Sequence, residues 1–554
     1  MDQETYKMYL EFTKNKNKGL NKWNLKDETI YYCNQDCKTL YNVIKEFGIL
    51  IFELFNISIS KTPTVSSLAF RIFRSSFLKD NNKIAIINKE LYDFLYRGFY
   101  GGAVDAYIPY GEKIKCYDVN SLYPNEMFNN PMPVGNPYYF EGDIKYFKNY
   151  IFPTEDFLNS RIKKGKINTI YNYVVNIFNN ENYDEFEKEI IKFLNLNNNK
   201  GILTNENNLP YGFFEVDLVT PPKSEWNEPI LLKRQKFSGY RTIAPVGKWK
   251  GVYFSEELYN AKKLNNKHKF KVKCGFLFRS EFIFKDYVEK LYKLKENSNS
   301  SSPIYAISKL LLNSLFGRFG MKPDLDQHII YDGSSDQNNS EIENLFLEKT
   351  VDIIAEFDNG DKQLLCFKNK RANSELVNLL EDTPKNDNLL FINVSISAAI
   401  TGYSRILMSL FKNNPLFKLY YSDTDSAFID VDLIKIYPNM VGKKLGQVKL
   451  EKEFDEALFL GPKLYGGITN LKETILKVKG INIRKNPITF DQLKDLIIKN
   501  KKLKLPNEKW YRKLGSGSIE IKQEIYNLTL NSSKRILIYD QNGMLIKTEP
   551  IEIK

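Results

Sequence analysis

The chain of 554 residues is long enough to bury several hydrophobic cores, so its length alone predicts more than one domain. Its 80 Lys and Arg residues outnumber its 67 Asp and Glu residues and leave a net charge of +13, the balance expected of a protein that follows a phosphate backbone. The two histidines, His268 and His328, lie in unrelated contexts and argue against histidine-based chemistry, and the five cysteines lack the paired spacing of a zinc site.

The first informative segment is a short strand-like run, residues 114–117, that leads into Asp118-Val119-Asn120-Ser121-Leu122-Tyr123-Pro124. An acid at the end of a strand, followed by a turn that a proline closes, presents one carboxylate and several backbone amides. The pattern therefore predicts a strand end that can serve a binding site.

The second segment, residues 309–317, is predicted to be a helix. Lys309, Asn313 and Phe316 fall on one face, at i, i+4 and i+7. Leu311, Ser314 and Leu315 fall on another face and are predicted to pack. A Leu-rich amphipathic helix is most often simply part of a core, but this face also offers a cation, an amide and an aromatic ring to a ligand.

The most membrane-like stretch is residues 389–411. It contains Asn393, Arg405 and several Ser and Thr residues, so we interpret it as a buried helix and expect no membrane association. Near the C-terminus, Gln541-Asn542-Gly543 predicts a hairpin turn between two strands.

The most informative segment is Tyr421-Ser422-Asp423-Thr424-Asp425-Ser426, which lies between two apolar runs, residues 416–420 and 427–431. The context predicts a strand, a tight turn and a second strand, with the acids at the turn. Two carboxylates one residue apart suit hard divalent cations such as Mg²⁺. An ordinary Asp-rich turn is the alternative, but the acid and the helix upstream favour a site.

In this order, the patterns DxxSLYP, KxxxNSxxG and YxDTDS resemble motifs A, B and C of family B DNA polymerases, specifically the protein-primed branch of phages and fungal linear plasmids. Three more segments resemble motifs of that branch: the YxGG-type template-binding motif at Tyr100-Gly101-Gly102, preceded by Phe99; the KxY primer motif at Lys463-Leu464-Tyr465; and the YxxxD exonuclease motif at Tyr32 to Asp36. The resemblance extends from about residue 28 to the last residue.

The resemblance implies nucleotidyl transfer assisted by two Mg²⁺ ions, with Mn²⁺ as a plausible substitute. The ions would stabilise the attacking and leaving oxygens. The implied catalytic and metal-binding acids are Asp118 and Asp425, the expected bridging pair, with Asp423 beside them.

The same resemblance implies a binding site for dNTPs. Lys309 would bind the triphosphate, with the backbone around Ser121 and Leu122 opposite it. Tyr123 would exclude a ribose 2′-hydroxyl. Asn313 and Phe316 would line the pocket of the nascent base pair, with Phe316 standing where the family usually has Tyr. A second triphosphate-binding lysine is expected one turn before Lys309, but Tyr305 occupies that position, and Lys293 or Lys295 is the expected substitute.

The implied partner is template–primer DNA. The residues expected to contact DNA are Tyr100, Gly101, Gly102, Lys463, Tyr465 and Ser426.

Residues 1–60 resemble only the tail of a 3′–5′ exonuclease domain, with Tyr32 and Asp36 as its remnant motif. Asp2 and Glu4 have the letters of a DxE motif but lie too close to Asp36. A single well-placed acid does not support metal-dependent hydrolysis. We therefore expect no proofreading by this chain, and an exposed seam that promotes aggregation or requires a separate chain to supply the missing region.

The expected fold class is α+β: a right-hand polymerase with an antiparallel-sheet palm, helical fingers, a small thumb and two palm insertions, plus the exonuclease remnant. The predicted segments are 1–60 (exonuclease remnant), 61–124 (linker and start of the palm), 125–280 (terminal-protein-type insertion, with a surface stretch at 176–208, and palm strands), 281–321 (fingers), 322–385 (second insertion, of the strand-displacement type), 386–460 (palm with motif C) and 461–554 (thumb).

The predicted function is template-directed DNA synthesis, protein-primed by a terminal protein on a linear plasmid-like element. Heavy use of Asn, Lys, Ile and Tyr and the absence of a recognisable transit peptide favour an organelle- or plasmid-encoded mitochondrial protein, with a cytoplasmic location as the alternative. A reverse transcriptase or RNA polymerase is disfavoured by the spaced acids and the KxxxNSxxG helix. An inactive DNA-binding remnant is disfavoured by the three retained acids.

Overall fold

The computed structural model describes residues 7, 25–62, 64–80, 83–85, 87–141, 210–237, 239–321, 327–332, 349–357, 362–369, 393–481, 483, 486–513, 518–530 and 534–554. The chain forms two compact units, Met1–Lys79 and Asp80–Lys554.

The first unit is helical, with α1 (Leu25–Phe55) and α2 (Val65–Ile72). Thr64 begins α2 with a capping box, in which its hydroxyl accepts the Ser67 amide at 3.2 Å. Arg71 donates to the Ser58 carbonyl at 3.4 Å. These contacts join the segment around α2 to the preceding turn within the compact unit Met1–Lys79, and the domain boundary predicted at residue 60 stays a prediction.

Helix α1 exposes much of its apolar side. Tyr32, Leu40 and Tyr41 are 67%, 61% and 67% exposed, whereas Ile51 near the end of the helix is fully buried. A surface of this kind is typical of one that packs against further protein.

The second unit combines helices with antiparallel sheets, so the predicted α+β class is confirmed. Its helices are α3 (Lys89–Arg97), α4 (Leu122–Asn129), α5 (Ser255–Leu264), α6 (Lys285–Glu296), α7 (Pro303–Phe319), α8 (Val394–Met408), α9 (Leu433–Ile436) and α10 (Phe490–Asp495). Its strands are β1 (Val104–Ala106), β2 (Tyr110–Val119), β3 (Met132–Glu141), β4 (Gly212–Val219), β5 (Lys233–Lys236), β6 (Tyr240–Ile243), β7 (Val246–Phe254), β8 (Lys269–Glu281), β9 (Gln327–Asp332), β10 (Lys349–Phe357), β11 (Lys362–Asn369), β12 (Leu419–Asp423), β13 (Ser426–Ile429), β14 (Val448–Gly461), β15 (Leu464–Thr469), β16 (Thr474–Val478), β17 (Leu503–Lys513), β18 (Ser518–Leu528), β19 (Arg535–Tyr539), β20 (Leu545–Pro550) and β21 (Glu552–Ile553).

A seven-stranded sheet of order β1-β12-β13-β2-β14-β15-β16 carries the centre of this unit. Along β2 the side chains alternate between two cores: Ile114 and Cys116 join one buried cluster, and Tyr117 and Val119 join another. Both faces of β2 therefore contribute buried side chains, whereas Glu112 and Lys113 of the same strand are exposed. The turn that carries Asp425 is therefore held on a rigid platform.

A second sheet has five strands in the order β21-β7-β4-β8-β3, with β4 between β7 and β8. Gly212 at the start of β4 makes this pairing close, since a Cβ there would lie 2.0 Å from the Phe276 carbonyl oxygen. The predicted strands in this region are confirmed, whereas residues 142–209, including the Asn-rich stretch 176–208, lie outside the described residues.

Helix α8 is the buried centre of the second unit and contacts α3, α4, α5 and α7. The window Val394–Phe411 has the length and mean hydropathy, 1.3, of a membrane span, but 83% of it is buried within the protein. Burial of this extent is typical of a core helix, as predicted. Helices α6 and α7, the predicted fingers, pack against each other.

The second predicted insertion, residues 322–385, is described only in part, as the three-stranded sheet β10-β11-β9 with Leu365 and Phe367 buried. At the C-terminus, β19 and β20 form the hairpin predicted around Gln541-Asn542-Gly543. The predicted boundaries inside the second unit stay predictions.

The buried ion pair between Arg405 of α8 and Glu257 of α5 supplies a stability test. Its side chains are 5% and 4% exposed, and the guanidinium donates to the carboxylate twice at 2.8 Å. Glu257→Gln would leave a buried cation without its counter-charge, and we expect the free energy of unfolding to fall by about 3 kcal/mol in urea denaturation. The matched change Glu289→Gln breaks an exposed pair with Lys293 and should leave the free energy of unfolding nearly unchanged. Equal losses in both variants would contradict this assignment.

Candidate active site

Two carboxylates from distant segments meet at the middle of the seven-stranded sheet. β13 pairs antiparallel with β2, with Ser426 opposite Asp118. The Val119 amide donates to the Asp425 carbonyl at 2.8 Å. Asp118 and Asp425 therefore lie on neighbouring strands at the same end of the sheet, as the sequence predicted.

The turn between β12 and β13 is tight and closely supported. Thr424 adopts a left-handed conformation with φ 56°, and its amide donates to the Ala103 carbonyl at 3.0 Å. A Cβ on Gly102 would lie 2.5 Å from Thr424 Oγ1, so the glycine lets this segment approach the turn. The predicted template-binding segment and the acidic turn thus touch each other.

The electrostatics of the acid pair are unfavourable without a ligand. Burial raises the pKa of Asp118 to about 7, and the negative charges of Asp425 and Glu451 add to the rise, while Lys449 and Lys309 oppose it. Burial and the charge of Asp423 raise the pKa of Asp425. Like charges in a half-buried site favour protonation or a bound cation.

The third predicted acid, Asp423, has a different environment. Lys463 Nζ contacts both of its carboxylate oxygens, at 2.9 and 2.7 Å, and the Tyr421 hydroxyl donates to it at 3.3 Å. The sequence predicted Asp423 as a metal ligand beside Asp118 and Asp425. In the structure Lys463 contacts both of its oxygens, because the KxY turn packs on the acidic turn, and the assignment of Asp423 to a metal stays a prediction.

The donor set fits a divalent cation of the Mg²⁺ type. Among the described residues, no ion pair neutralises Asp118 or Asp425, and no three His, Cys, Asp or Glu side chains form a ready-made metal cluster. Mg²⁺ is commonly held by one or two carboxylates together with water and substrate phosphates, so two unpaired acids are sufficient. Asp118 and Asp425 are the residues that would hold it.

Lys309 of α7 lies near the acid pair, and Lys295 of α6 contacts the turn that follows Asp118. The positive charge of Lys309 lowers the pKa of Asp118 and also that of Lys295, whose burial is the larger cause. Lys295 Nζ donates to Ser121 Oγ at 3.2 Å. Lys293 instead pairs with Glu289 at 2.6 Å on the exposed side of α6. Of the two expected substitutes for a lysine at Tyr305, Lys295 is the one that contacts Ser121, and its role in nucleotide binding stays a prediction.

The predicted base-pair pocket is partly assembled. The rings of Tyr123 and Phe316 lie 4.2 Å apart between centroids, which joins the motif A segment to α7. Asn313 and Lys309 are exposed on the same helix, whereas Leu311 and Leu315 are buried, so the predicted division of α7 into two faces is confirmed. Leu122 is also buried and contributes to the core next to Val119.

Tyr100 differs from its prediction. Its ring is 5% exposed, stacks on Tyr253 at 5.9 Å, and lies under the guanidinium groups of Arg234 and Arg405 at 5.0 and 5.8 Å. The Tyr100 ring is therefore not exposed to DNA, and it packs in the core beneath the backbone of Gly101 and Gly102. Gly101 is exposed, and an added Cβ there would meet nothing within 4 Å, while its carbonyl accepts a hydrogen bond from Arg405 at 2.9 Å.

The predicted primer motif adjoins the acidic turn. Lys463 has a left-handed backbone with φ 58°, and its amide donates to the Tyr421 hydroxyl at 3.0 Å. The Tyr465 ring lies 5.2 Å from that of Tyr421, and burial raises the pKa of Tyr465 to about 12. Ser426 donates to the Asp423 carbonyl at 3.2 Å and so stabilises the turn.

The predicted exonuclease remnant lies in the first unit. Tyr32 and Asp36 are exposed, one turn apart on α1. Asp2 and Glu4 lie outside the described residues.

Sequence reasoning missed Glu451. Its charge raises the pKa of Asp118 from β14, where Lys449 lies opposite Asp118 in the strand register. Lys449 Nζ donates to Glu451 at 2.8 Å beside a register shift between Leu450 and Lys452, and this irregularity could be recognised only once the partner strand is known.

Family comparison gives a single result. A family model described as DNA polymerase type B, organellar and viral, matches residues 1–191 and 190–416. Probable DNA polymerases of Ascobolus immersus and Neurospora intermedia are 31% and 32% identical over 96% and 94% of this chain. The chain spans only 37% and 45% of the lengths of these two relatives.

Solved structures show a similar fold. Phi29 DNA polymerase complexed with primer–template DNA superposes with a TM-score of 0.54 at 16% identity, and the match covers 87% of this chain and 70% of that one. Its ternary complex with incoming nucleotide substrates gives a TM-score of 0.52. The likeness supports the right-hand arrangement expected from the sequence.

The raised pKa of Asp118 predicts that ionisation of its carboxyl lowers the free energy of unfolding as the pH rises. Because the folded-state pKa lies above the unfolded value of about 3.9, the stability present at low pH is lost as pH rises toward 7. In metal-free buffer, Asp118→Asn should therefore raise the melting temperature, by about 2 °C at pH 8 and by less at pH 5, in thermal unfolding followed by circular dichroism. Asp455→Asn, which breaks an exposed pair with Lys472, should show no such pH-dependent gain. An equal gain at both pH values would contradict the prediction.

Proposed function

The chain belongs to the organellar and viral family of type B DNA polymerases, and on that premise we propose that it extends a primer by template-directed transfer of nucleotides from dNTPs. The observation that carries the proposal is the convergence of Asp118, on β2, and Asp425, in the turn before β13, with the charge of Lys309 acting on Asp118. The two carboxylates would attract divalent metal ions, and the nearby lysines would attract the phosphates of a nucleotide bound to those ions.

Each side of the site has a separate task in this proposal. Lys309 and Lys295 neutralise the triphosphate and align its α-phosphorus with the primer 3′-hydroxyl. The Ser121 hydroxyl, which holds Lys295, keeps that lysine directed into the site. Asp118 and Asp425 would hold two divalent ions, which when bound supply charge stabilisation at the attacking and leaving oxygens.

The nucleotide pocket follows from the contact between Tyr123 and Phe316. A ring fixed 4.2 Å from its neighbour leaves little freedom for Tyr123 to move away from a sugar. Tyr123 would thereby exclude a 2′-hydroxyl and select deoxynucleotides. Asn313 would line the same pocket from the exposed face of α7.

The primer side is assigned to Lys463 and Tyr465. Lys463 reaches Asp423 in the absence of DNA, and a primer phosphate offers it an alternative anionic partner. The exposed backbone of Gly101 would contact the template strand. Asp423 therefore acts in this proposal as the residue that positions Lys463.

The biological setting is proposed as protein-primed replication of a linear plasmid-like element, with a terminal protein as primer. The similarity to fungal polymerases and to the Bacillus phage phi29 enzyme, 25% identical over 216 residues, supports it. A mitochondrial location is proposed because the matching family is organellar and viral. We propose that this chain does not proofread, because Asp36 is the one acid among the described residues that we assign to an exonuclease motif.

Primer extension tests the proposed function. With Mg²⁺ and dNTPs on an oligonucleotide template, the chain should extend a primer, and Asp425→Ala should abolish extension by removing half of the acid pair. Asp455→Ala, an exposed acid on β14 of the same sheet, should extend like the unchanged chain. Extension that persists in Asp425→Ala, or DNA binding without extension by the unchanged chain, would contradict the proposal.

The assignment of Lys295 is tested against its neighbour Lys293. Lys295→Ala should raise the KM for dNTP about tenfold, because a charged hydrogen bond to phosphate is lost. Lys293→Ala, two residues away on the exposed side of α6, should leave the KM within about twofold. Steady-state single-nucleotide incorporation measures both values. A larger effect from Lys293→Ala would reverse the assignment.

A further inference from the structure

The C-terminal hairpin is bonded to the edge strand that supports the acidic turn. The Thr548 amide donates to the Tyr107 carbonyl at 2.9 Å, and its hydroxyl donates to the Ala106 carbonyl at 2.7 Å. Lys534 Nζ donates to the Val104 carbonyl at 3.1 Å. Three points along residues 104–107 are thus attached to residues far away in the sequence.

Arg535 fixes the geometry of this attachment. Its Nε donates to Thr548 Oγ1 at 2.7 Å, and its Nη2 donates to the Asn227 carbonyl at 2.9 Å. Its guanidinium lies 4.8 Å from the centre of the Tyr107 ring. Arg535 and Thr548 are 5% and 4% exposed, so water cannot readily replace these bonds.

From β1 the contacts continue to the acids. Asp105 pairs with Ser422 and Val104 with Asp423 across the strands, and the Tyr107 hydroxyl lies 3.3 Å from Ser422 Oγ. A cavity of about 20 Å³, lined in part by Ser422 and Thr424, lies behind the turn. β1 is therefore one of the segments that hold the turn in place, together with Gly102 and Lys463.

We propose that Arg535 and Thr548 are positioning residues that set the placement of the Asp423-Thr424-Asp425 turn through β1. The proposal rests on the proposed polymerase activity and adds a role for the C-terminal hairpin in the chemical step. Neither residue is assigned a contact with DNA or nucleotide. Their loss should therefore lower kcat and leave substrate binding unchanged.

The central variant is Thr548→Val, which keeps the shape of the side chain and removes the hydroxyl that joins Arg535 to Ala106. We expect kcat for single-nucleotide incorporation to fall about tenfold or more, since small misplacement of catalytic groups is costly. The KM for dNTP and the Kd for template–primer should stay within about twofold. Thr548→Ser, which restores the hydroxyl, should restore kcat.

Thr469→Val is the matched control. Thr469 is 5% exposed, and its hydroxyl accepts the Glu473 amide at 3.1 Å without reaching β1. It should lose stability similar to that lost in Thr548→Val but keep kcat. A general loss of stability is thereby separated from a loss of positioning.

Hydrogen exchange decides the proposal independently of activity. In Thr548→Val, amides in a peptide covering residues 420–428, including the Thr424 amide that bonds Ala103, should exchange faster than in the unchanged chain and in Thr469→Val. Unchanged exchange there, or a kcat equal to that of the unchanged chain, would overturn the proposal. If the unchanged chain extends no primer, the proposed function fails, while the exchange comparison still tests the positioning role.

Discussion

The antiparallel pairing of β13 with β2 is the constraint on which the rest of the site depends. It forces Asp118 and Asp425 together at a half-buried position, where Glu451 adds a third negative charge, and it raises the pKa of Asp118 to about 7. A sheet with apolar residues on both faces cannot relax to separate these acids. The protein therefore maintains like charges close together, an arrangement that is unfavourable in itself and has a cost typical of active sites.

The residues around the acidic turn contact it in different ways. Lys309 lies near the acids and Lys295 contacts Ser121, and neither is ion-paired with Asp118 or Asp425 in the part of the chain that the structure describes, which leaves both acids available for the proposed metal-bound triphosphate. Asp423 is handled differently, because Lys463 contacts both of its oxygens. Gly102 approaches Thr424 from one side, and the C-terminal hairpin holds β1 from another. One short turn is thus contacted by segments from most of the second unit.

Much of this could be predicted from local patterns. The hairpin with acids at its turn, the strand end at Asp118 and the two faces of α7 follow from periodicity and turn chemistry, and the order of the motifs indicated the family. The burial of Tyr100, the ion pair of Asp423 and the influence of Glu451 could not be predicted in this way, because each depends on a contact between segments far apart in the chain. The choice of Lys295 over Lys293 likewise depends on how α6 is rotated against the motif A turn.

The most direct test of the central claim is Mn²⁺ binding measured by electron paramagnetic resonance, with and without dNTP, at pH 8. The account predicts that dNTP strengthens Mn²⁺ binding, since phosphate oxygens complete a site that has only two free carboxylates, and that Asp118→Asn and Asp425→Asn each remove this gain. Mn²⁺ binding that is equal in the unchanged chain and both variants, or insensitive to dNTP, would contradict the claim that these two acids form the metal site.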